Sequence, residues 1–333
     1  MRSSSSRRTL FSIVVALMMS VWTSSANAQQ MAQGFELERL YTSAPGASWF
    51  VMDSLDMHGG LGGAASMIVS YARNPLRVSD GTQHLTVVSD AAFLELGCAA
   101  TYDRFRLYAS FASPLTVQGN SGTVGGYTFT APSVDPSSAP DAAFHARVGF
   151  DARIVGDHAS SFRMGLGAQF WIPGGSPGSL RENYLSDGPP SDSLGAYNAM
   201  ARVLFAGDIG LLTYAGHLGF HLRPLDDSPT PESPRGSEGL FGAAAGVKVS
   251  PWAGQRVRLV LGPEVFGTTA LRSFLGAHTT GIEALATVRI EGTSDDAPQL
   301  RFRVGAGGGL DPHFGAPESR VVLGIELFEF SSN

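Results

Sequence analysis

The chain has 333 residues, about two average domains by length; it is only 16% charged and 10% aromatic, and it holds 41 glycines. It is too apolar for a disordered protein and too rich in glycine for a helical bundle, while the lack of an every-third-residue glycine period excludes collagen and the single cysteine, Cys98, excludes a disulfide scaffold. A formal charge of −6 repels phosphate, so nucleic acid is not an expected partner.

The first element is a targeting segment. Arg2, Arg7 and Arg8 precede an apolar stretch from Leu10 to Trp22, and Ala26-Asn27-Ala28 places small residues before a cut ahead of Gln29. The stretch is about 13 residues, too short to cross roughly 30 Å of hydrocarbon as a helix. Residues 1–28 are therefore expected to be a cleaved secretory signal for the Sec pathway, leaving 29–333 as a single domain. Removal takes three arginines and no acids, so 20 basic groups face 29 acidic ones.

The rest of the chain alternates. Between 143 and 154, Phe144, Ala146, Val148, Phe150, Ala152 and Ile154 share one face, opposite His145, Arg147, Gly149, Asp151 and Arg153. The pattern recurs at 162–172 and 212–222. It also predicts strands near 63–73, 91–102, 105–113, 196–206, 239–249, 256–266, 281–291, 298–308 and 320–330. Most run ten to thirteen residues, whereas strands of soluble proteins usually run about five or six and a tilted strand crossing a bilayer needs about nine to eleven. Backbone groups in lipid must all be paired, so such strands span a membrane only as a closed barrel, apolar outside and polar inside.

The connections support the same reading. Asp103-Arg104, 155–160, 207–210, 250–255 and 292–297 are short, and they alternate with longer, proline-bearing connections at 114–141, 173–195, 224–238, 267–280 and 309–319. Short periplasmic turns alternating with long external loops is the bacterial outer-membrane plan. Carried back toward the N-terminus, it makes 74–90 an external loop with a small hairpin across Asp80-Gly81, and adds a strand at 48–57. An even count then requires one more strand, for which Gly34 to Tyr41 is the candidate. The expected fold is an all-β transmembrane antiparallel up-and-down barrel of fourteen strands, with twelve the alternative if the N-terminal pair packs elsewhere. Its partners are outer-membrane lipid and lipopolysaccharide, with the barrel-assembly machinery at biogenesis.

Several segments resemble the N-terminal barrel of OmpA-family outer-membrane proteins, in a divergent branch with a larger barrel. They are Trp49-Phe50-Val51-Met52-Asp53-Ser54-Leu55, Leu166-Gly167-Ala168-Gln169, Ala206-Gly207-Asp208-Ile209-Gly210, Phe241-Gly242-Ala243-Ala244-Ala245-Gly246 and Leu261-Gly262-Pro263-Glu264. The resemblance implies an outer-membrane barrel. It lends no tether to peptidoglycan, because the domain that grips the cell wall in that family has no counterpart before Asn333. One departure concerns the last strand: Val321, Leu323, Ile325 and Leu327 set the lipid phase, and Phe328 and Phe330 fall in the other unless a bulge intervenes.

No motif carries strong chemistry. Gly174-Gly175-Ser176-Pro177-Gly178 matches a serine-hydrolase elbow, but Pro177 has no N–H to hold an oxyanion. The Gly60–Ala65 run opens a strand and not a helix, and Gly305 to Gly309 reads as room for bulky neighbours. His217 and His221 lie on one strand face roughly 13 Å apart at 3.3 Å per residue, too far to share a metal. With Ser110 or Asp151 they supply the alternative of a barrel-borne hydrolase, and a soluble secreted β-sandwich is the third reading. Cys98 falls in the apolar phase of its strand.

The charged set in the inward phase is the most informative. Arg106, Arg147, Arg153, Arg163, Arg202, Arg223, Arg258, Arg289, Arg301 and Arg303, with Glu264, Glu283 and Glu326, are the candidate pore-lining residues. Arg256, Arg320 and Lys248 share their phase, as do Glu95, Asp151 and Glu291. Guanidinium groups pair with carboxylates and fill a wide lumen, and an excess of cations gives a weak anion preference. Acids gather in the long loops, among them Asp135, Asp226, Asp227, Glu238, Asp311 and Glu318. The expectation is a structural component or passive pore for small solutes, with no catalytic residues, cofactor or metal.

Overall fold

The computed structural model describes residues 30–31, 39–131, 133–134, 144–174, 198–223, 236–249, 257–276, 279–292, 298–311 and 316–330. Twelve antiparallel strands close into a barrel. They are β1 (Leu61–Ser79), β2 (His84–Tyr102), β3 (Phe105–Gln118), β4 (Phe144–Val155), β5 (Arg163–Gly174), β6 (Asn198–Ile209), β7 (Leu212–Leu222), β8 (Glu238–Val249), β9 (Val257–Ala270), β10 (Thr280–Gly292), β11 (Gln299–Asp311) and β12 (Ser319–Phe330). Each pairs with its sequence neighbours, and β12 closes on β1 in a continuous register from Ser319↔Arg73 to Phe330↔Gly62.

The two faces of the wall divide as the alternation requires. Val148, Phe150, Leu166, Phe170, Leu218, Val304 and Leu323 are exposed, Leu166 by 55%, whereas Arg147, Arg163, Arg202 and Arg303 are buried. An apolar belt of this extent facing water would be unstable; facing hydrocarbon, it is what a spanning strand needs. Cys98 is exposed on this outer face. No bulge interrupts β12, so Phe328 does point inward, beneath the Arg301 guanidinium at 4.2 Å from its ring centre.

Two expectations are corrected. The wall has twelve strands and not fourteen, because residues 48–57 are not a strand. Trp49, Phe50, Val51 and Met52 are four consecutive large apolar residues, all buried, and they are followed by buried Asp53. A wall strand sends alternate residues to lipid and lumen, and such a run suits neither face. Of Gly34 to Tyr41, residues 34–38 lie outside the described residues and 39–41 are not in a strand. The even count is thus reached by moving this segment out of the wall.

The second correction concerns 74–90, which is not a separate loop. It is the continuation of β1 and β2, nineteen residues each against 11 to 14 in the other wall strands, joined by a turn at 80–83. The extra length rises beyond the barrel at the long-connection end. There a hairpin of Gly122–Val124 and Tyr127–Phe129 packs on it, and Val87, Val88, Ala91, Phe93, Val117, Val124, Phe129 and Val134 form a small apolar core. Gln30–Met31 pairs in parallel with Tyr127–Thr128 of that hairpin.

Candidate functional site: a filled lumen

The lumen is occupied by the chain itself. Residues 39–60 pass through it, and their path follows from their partners on the wall. At the long-connection end Arg39 binds Glu238, at the start of β8, at 2.9 Å, and Thr268, near the end of β9, at 3.2 Å. Tyr41 packs edge-on against Trp171 and His221. The chain then descends to Gly46 and Ala47, which meet Arg301 and Glu326 near the short-turn end. It rises again to Met52 and returns, so that Leu55 and Met57 accept from Arg153 at the end of β4. Gly46, at φ 90°, and Leu55, at φ 56°, stand where the path bends. Within the segment Ser43 N–H donates to Phe50 O and Ala44 N–H to Asp53 Oδ1, which folds it on itself.

Irregular backbone at membrane depth is tolerated only where protein satisfies its polar groups, and here the wall does so. Wall arginines donate to successive carbonyls: Arg147 to Thr42, Arg301 to Gly46 and Ala47, Arg303 to Ala47 and Trp49, Arg289 to Ser48, and Arg153 to Leu55 and Met57. Wall carboxylates take the amides. Glu264 accepts from Phe50 N–H at 3.0 Å and Val51 N–H at 2.9 Å, and Glu326 accepts from Gly46 N–H at 2.5 Å. The forked guanidinium, always charged and weakly hydrated, suits both carbonyls and carboxylates in a buried setting.

The side chains of the segment complete the charge balance. Asp53 is fully buried between Arg106 (2.7 Å) and Arg202 (2.9 Å), and the same two arginines flank Asp151 at 2.6 and 3.7 Å. Asp56 lies 3.3 Å from Arg163, which also pairs with Asp208. Thr42 donates to Glu95, which in turn pairs with Arg147. In this set each buried charge has an opposite partner, the condition under which burial of ions is tolerated.

The wall glycines make the space. A side chain at Gly97 would come 2.8 Å from the Pro45 ring, and one at Gly246 would come 2.6 Å from the Trp49 indole. Phe50 lies over both Gly305 and Gly324, where an added carbon would sit 3.0 and 3.1 Å from its ring. A small pocket lined by Arg39, Tyr41, Met200, Arg202 and His217 measures about 20 Å³, room for about one water.

The remaining predicted residues sit as follows. Arg223 is buried at the long-connection end, with Glu238 at 2.6 Å; Glu238 therefore belongs to the interior and not to an acidic rim. Glu283 pairs with Arg320 at 2.9 Å, and Arg258 is half-buried, 3.6 Å from Glu291. Two elements of the hydrolase alternative are engaged elsewhere: Ser110 accepts from Arg147 and Asp151 is held by Arg106. Residues 175–178 of the Gly-x-Ser motif lie outside the described residues, as do Arg256, Asp135, Asp226 and Asp227. The alternation allowed, as its twelve-strand alternative, that this segment packs outside the wall, but did not place it in the lumen. The signal for it was the unalternating run Trp49–Met52 followed by an acid.

A closed antiparallel barrel with an apolar outer belt and a charged, filled interior defines an integral membrane β-barrel protein. No family model matches the sequence, and no curated protein matches it either. Among solved structures the chain is similar to an outer-membrane channel from Pseudomonas putida F1, at 10% identity over 83% of this chain and 97% of that one, with a TM-score of 0.45. It is also similar to the translocator domain of the autotransporter NalP from Neisseria meningitidis, at 12% identity over 83% and 90%, with a TM-score of 0.44. For the NanC porin the values are 8% identity, 80% and 99% coverage, and a TM-score of 0.43.

Proposed function

We propose that the protein is a non-enzymatic bacterial outer-membrane barrel whose lumen is shut by its own residues 39–60. It serves as a structural component of the membrane, and passes small solutes only while that segment is displaced. One observation carries this reading: the segment is buried and bonded to wall groups around the barrel, with its amides, carbonyls and carboxylates matched to them. The order of short turns and long loops, and the signal-like start, support the bacterial outer membrane as its place. With the segment displaced, Arg106, Arg147, Arg202, Arg289, Arg301 and Arg303 line the opening and outnumber their acids, which favours small anions. The OmpA resemblance adds no function, since its Trp49–Leu55 portion lies in the lumen and not in a strand.

Planar bilayers test this. The folded, inserted chain is expected to hold the bilayer closed, and Asp53→Ala, which leaves Arg106 and Arg202 short of a partner, is expected to produce openings with anion preference in a salt gradient. Steady conductance from the unaltered chain would overturn the closed lumen.

A further inference from the structure

We propose that the lumen is a polypeptide conduit, threaded by the chain's own N-terminal part so that Arg39 and, before it, Gln30–Met31 stand at the outer mouth and not in the periplasm. The inference rests on the membrane-barrel reading above and goes beyond it, because a plug can enter a barrel from either end.

The direction follows from the ends of the segment. Residues that lead into β1 must be at the short-turn end, since Leu61 pairs with Tyr102 beside the 103–104 turn. Arg39 is at the opposite end, bound to the first residue of β8 and to Thr268 near the end of β9. Between these points the segment crosses the whole lumen. The outer placement has a second, separate observation. Gln30–Met31 is a strand of the sheet formed with the Gly122–Phe129 hairpin, and that hairpin belongs to the long β3–β4 connection, packed on the protruding part of β1 and β2. Both observations put the N-terminal side of the segment where the long connections are.

The lumen is also built to hold a chain by its backbone. Arg289, Arg301, Arg303 and Arg153 bind carbonyls, and Glu264 and Glu326 bind amides, groups that every polypeptide presents. This main-chain grip is joined by side-chain fits at Pro45, Trp49, Phe50 and Asp53, so the wall holds a polypeptide by its backbone and this segment by its side chains as well. The ligand class of this lumen is therefore a polypeptide, supplied here in cis.

Because Cys98 is the only cysteine, Cys98→Ala gives a blank background for site-specific labelling. Gln30→Cys, Thr82→Cys and Asp103→Cys are each placed in the full chain, and whole cells are treated with a polyethylene-glycol maleimide too large for porins. Thr82→Cys at the β1–β2 tip is expected to react in intact cells, and Asp103→Cys in the tight turn only after the outer membrane is permeabilised. Gln30→Cys is expected to react in intact cells as fully as Thr82→Cys, with Met31→Cys used if that variant fails to fold. Loss of the Gln30→Cys signal in intact cells, with its return on permeabilisation and both references on their own sides, overturns the threading while leaving the barrel intact. References that react on one side alone overturn the barrel and the threading together.

Discussion

The molecule has two cores made by opposite rules. Above the barrel, Val87, Val88, Phe93, Val117, Val124 and Phe129 form an apolar cluster of ordinary kind. Inside the barrel, the largest fully buried side chains include Arg106, Arg163, Arg303 and Arg320 beside Trp49 and Phe50. The difference lies in what surrounds each core. The lobe meets water, so burying carbon drives its packing. The barrel wall meets hydrocarbon on its outer face, where apolar side chains lose nothing by exposure, and the interior is free to be held by ion pairs and hydrogen bonds.

The largest expected effect comes from breaking the interior rule. Asp53→Ala leaves Arg106 and Arg202 sharing Asp151 alone, and removal of one partner from a buried ion cluster costs about 3 to 5 kcal/mol. Denaturant unfolding in detergent should show a destabilisation of that order for the whole barrel, and an unchanged midpoint would mean that the cluster is hydrated. In the lobe, Phe129→Ala removes about 3 kcal/mol of apolar packing, yet the loss should stay local. Hydrogen exchange is expected to rise in 84–93 and 117–129 while the wall below keeps its protection; loss of protection in β7 or β8 as well would show that the two cores are one cooperative unit.

The wall faces give the next test. Leu166→Arg or Val148→Arg should cost about 2 to 4 kcal/mol, since each places a charge in lipid. The inward neighbour offers no relief. Gly149 lies against the Tyr108 ring, so Gly149→Arg is expected to hinder refolding into vesicles as strongly as Leu166→Arg, and easy refolding would contradict a filled lumen. Overpacking is milder. Gly324→Leu drives a side chain into Phe50, at a cost of about 1 to 3 kcal/mol, and truncating the ring in the same chain with Phe50→Ala should restore part of the loss.

The smallest effect lies in the β1–β2 turn. Asp80 accepts amide hydrogens from Gln83 and Thr82 and the Thr82 hydroxyl, which lowers its pKa to about 2. A carboxylate depressed in the folded state stabilises the turn above its unfolded value of about 3.9, and that contribution is lost as pH falls through about 2. The amide resonances of Thr82 and Gln83 should therefore titrate together between those limits, with no change in the wall.

Alternation made the wall legible. Phe144 to Ile154 and Phe162 to Ile172 declare lipid and lumen by period two, because a pleated strand between two solvents cannot do otherwise. Ten strands matched their expected positions closely, and β1 and β2 were found at their membrane portions but cut short where the alternation gave way to Asn74-Pro75. The inward arginines were likewise visible as a set. Their partners on the inner segment were not, because Arg303 and Trp49 are separated by 254 residues and no local pattern links them.

The amino-acid sequence alone thus determined the class of fold, the two faces of each strand and the polarity of the interior, since each of these is written within one strand's length. Only the tertiary structure decided that the interior is filled, that Trp49–Met52 fills it, and that the wall glycines are the complement of those side chains. Those facts depend on contacts closed around a whole barrel. Such contacts exist only once β12 has met β1 and the lumen has a size.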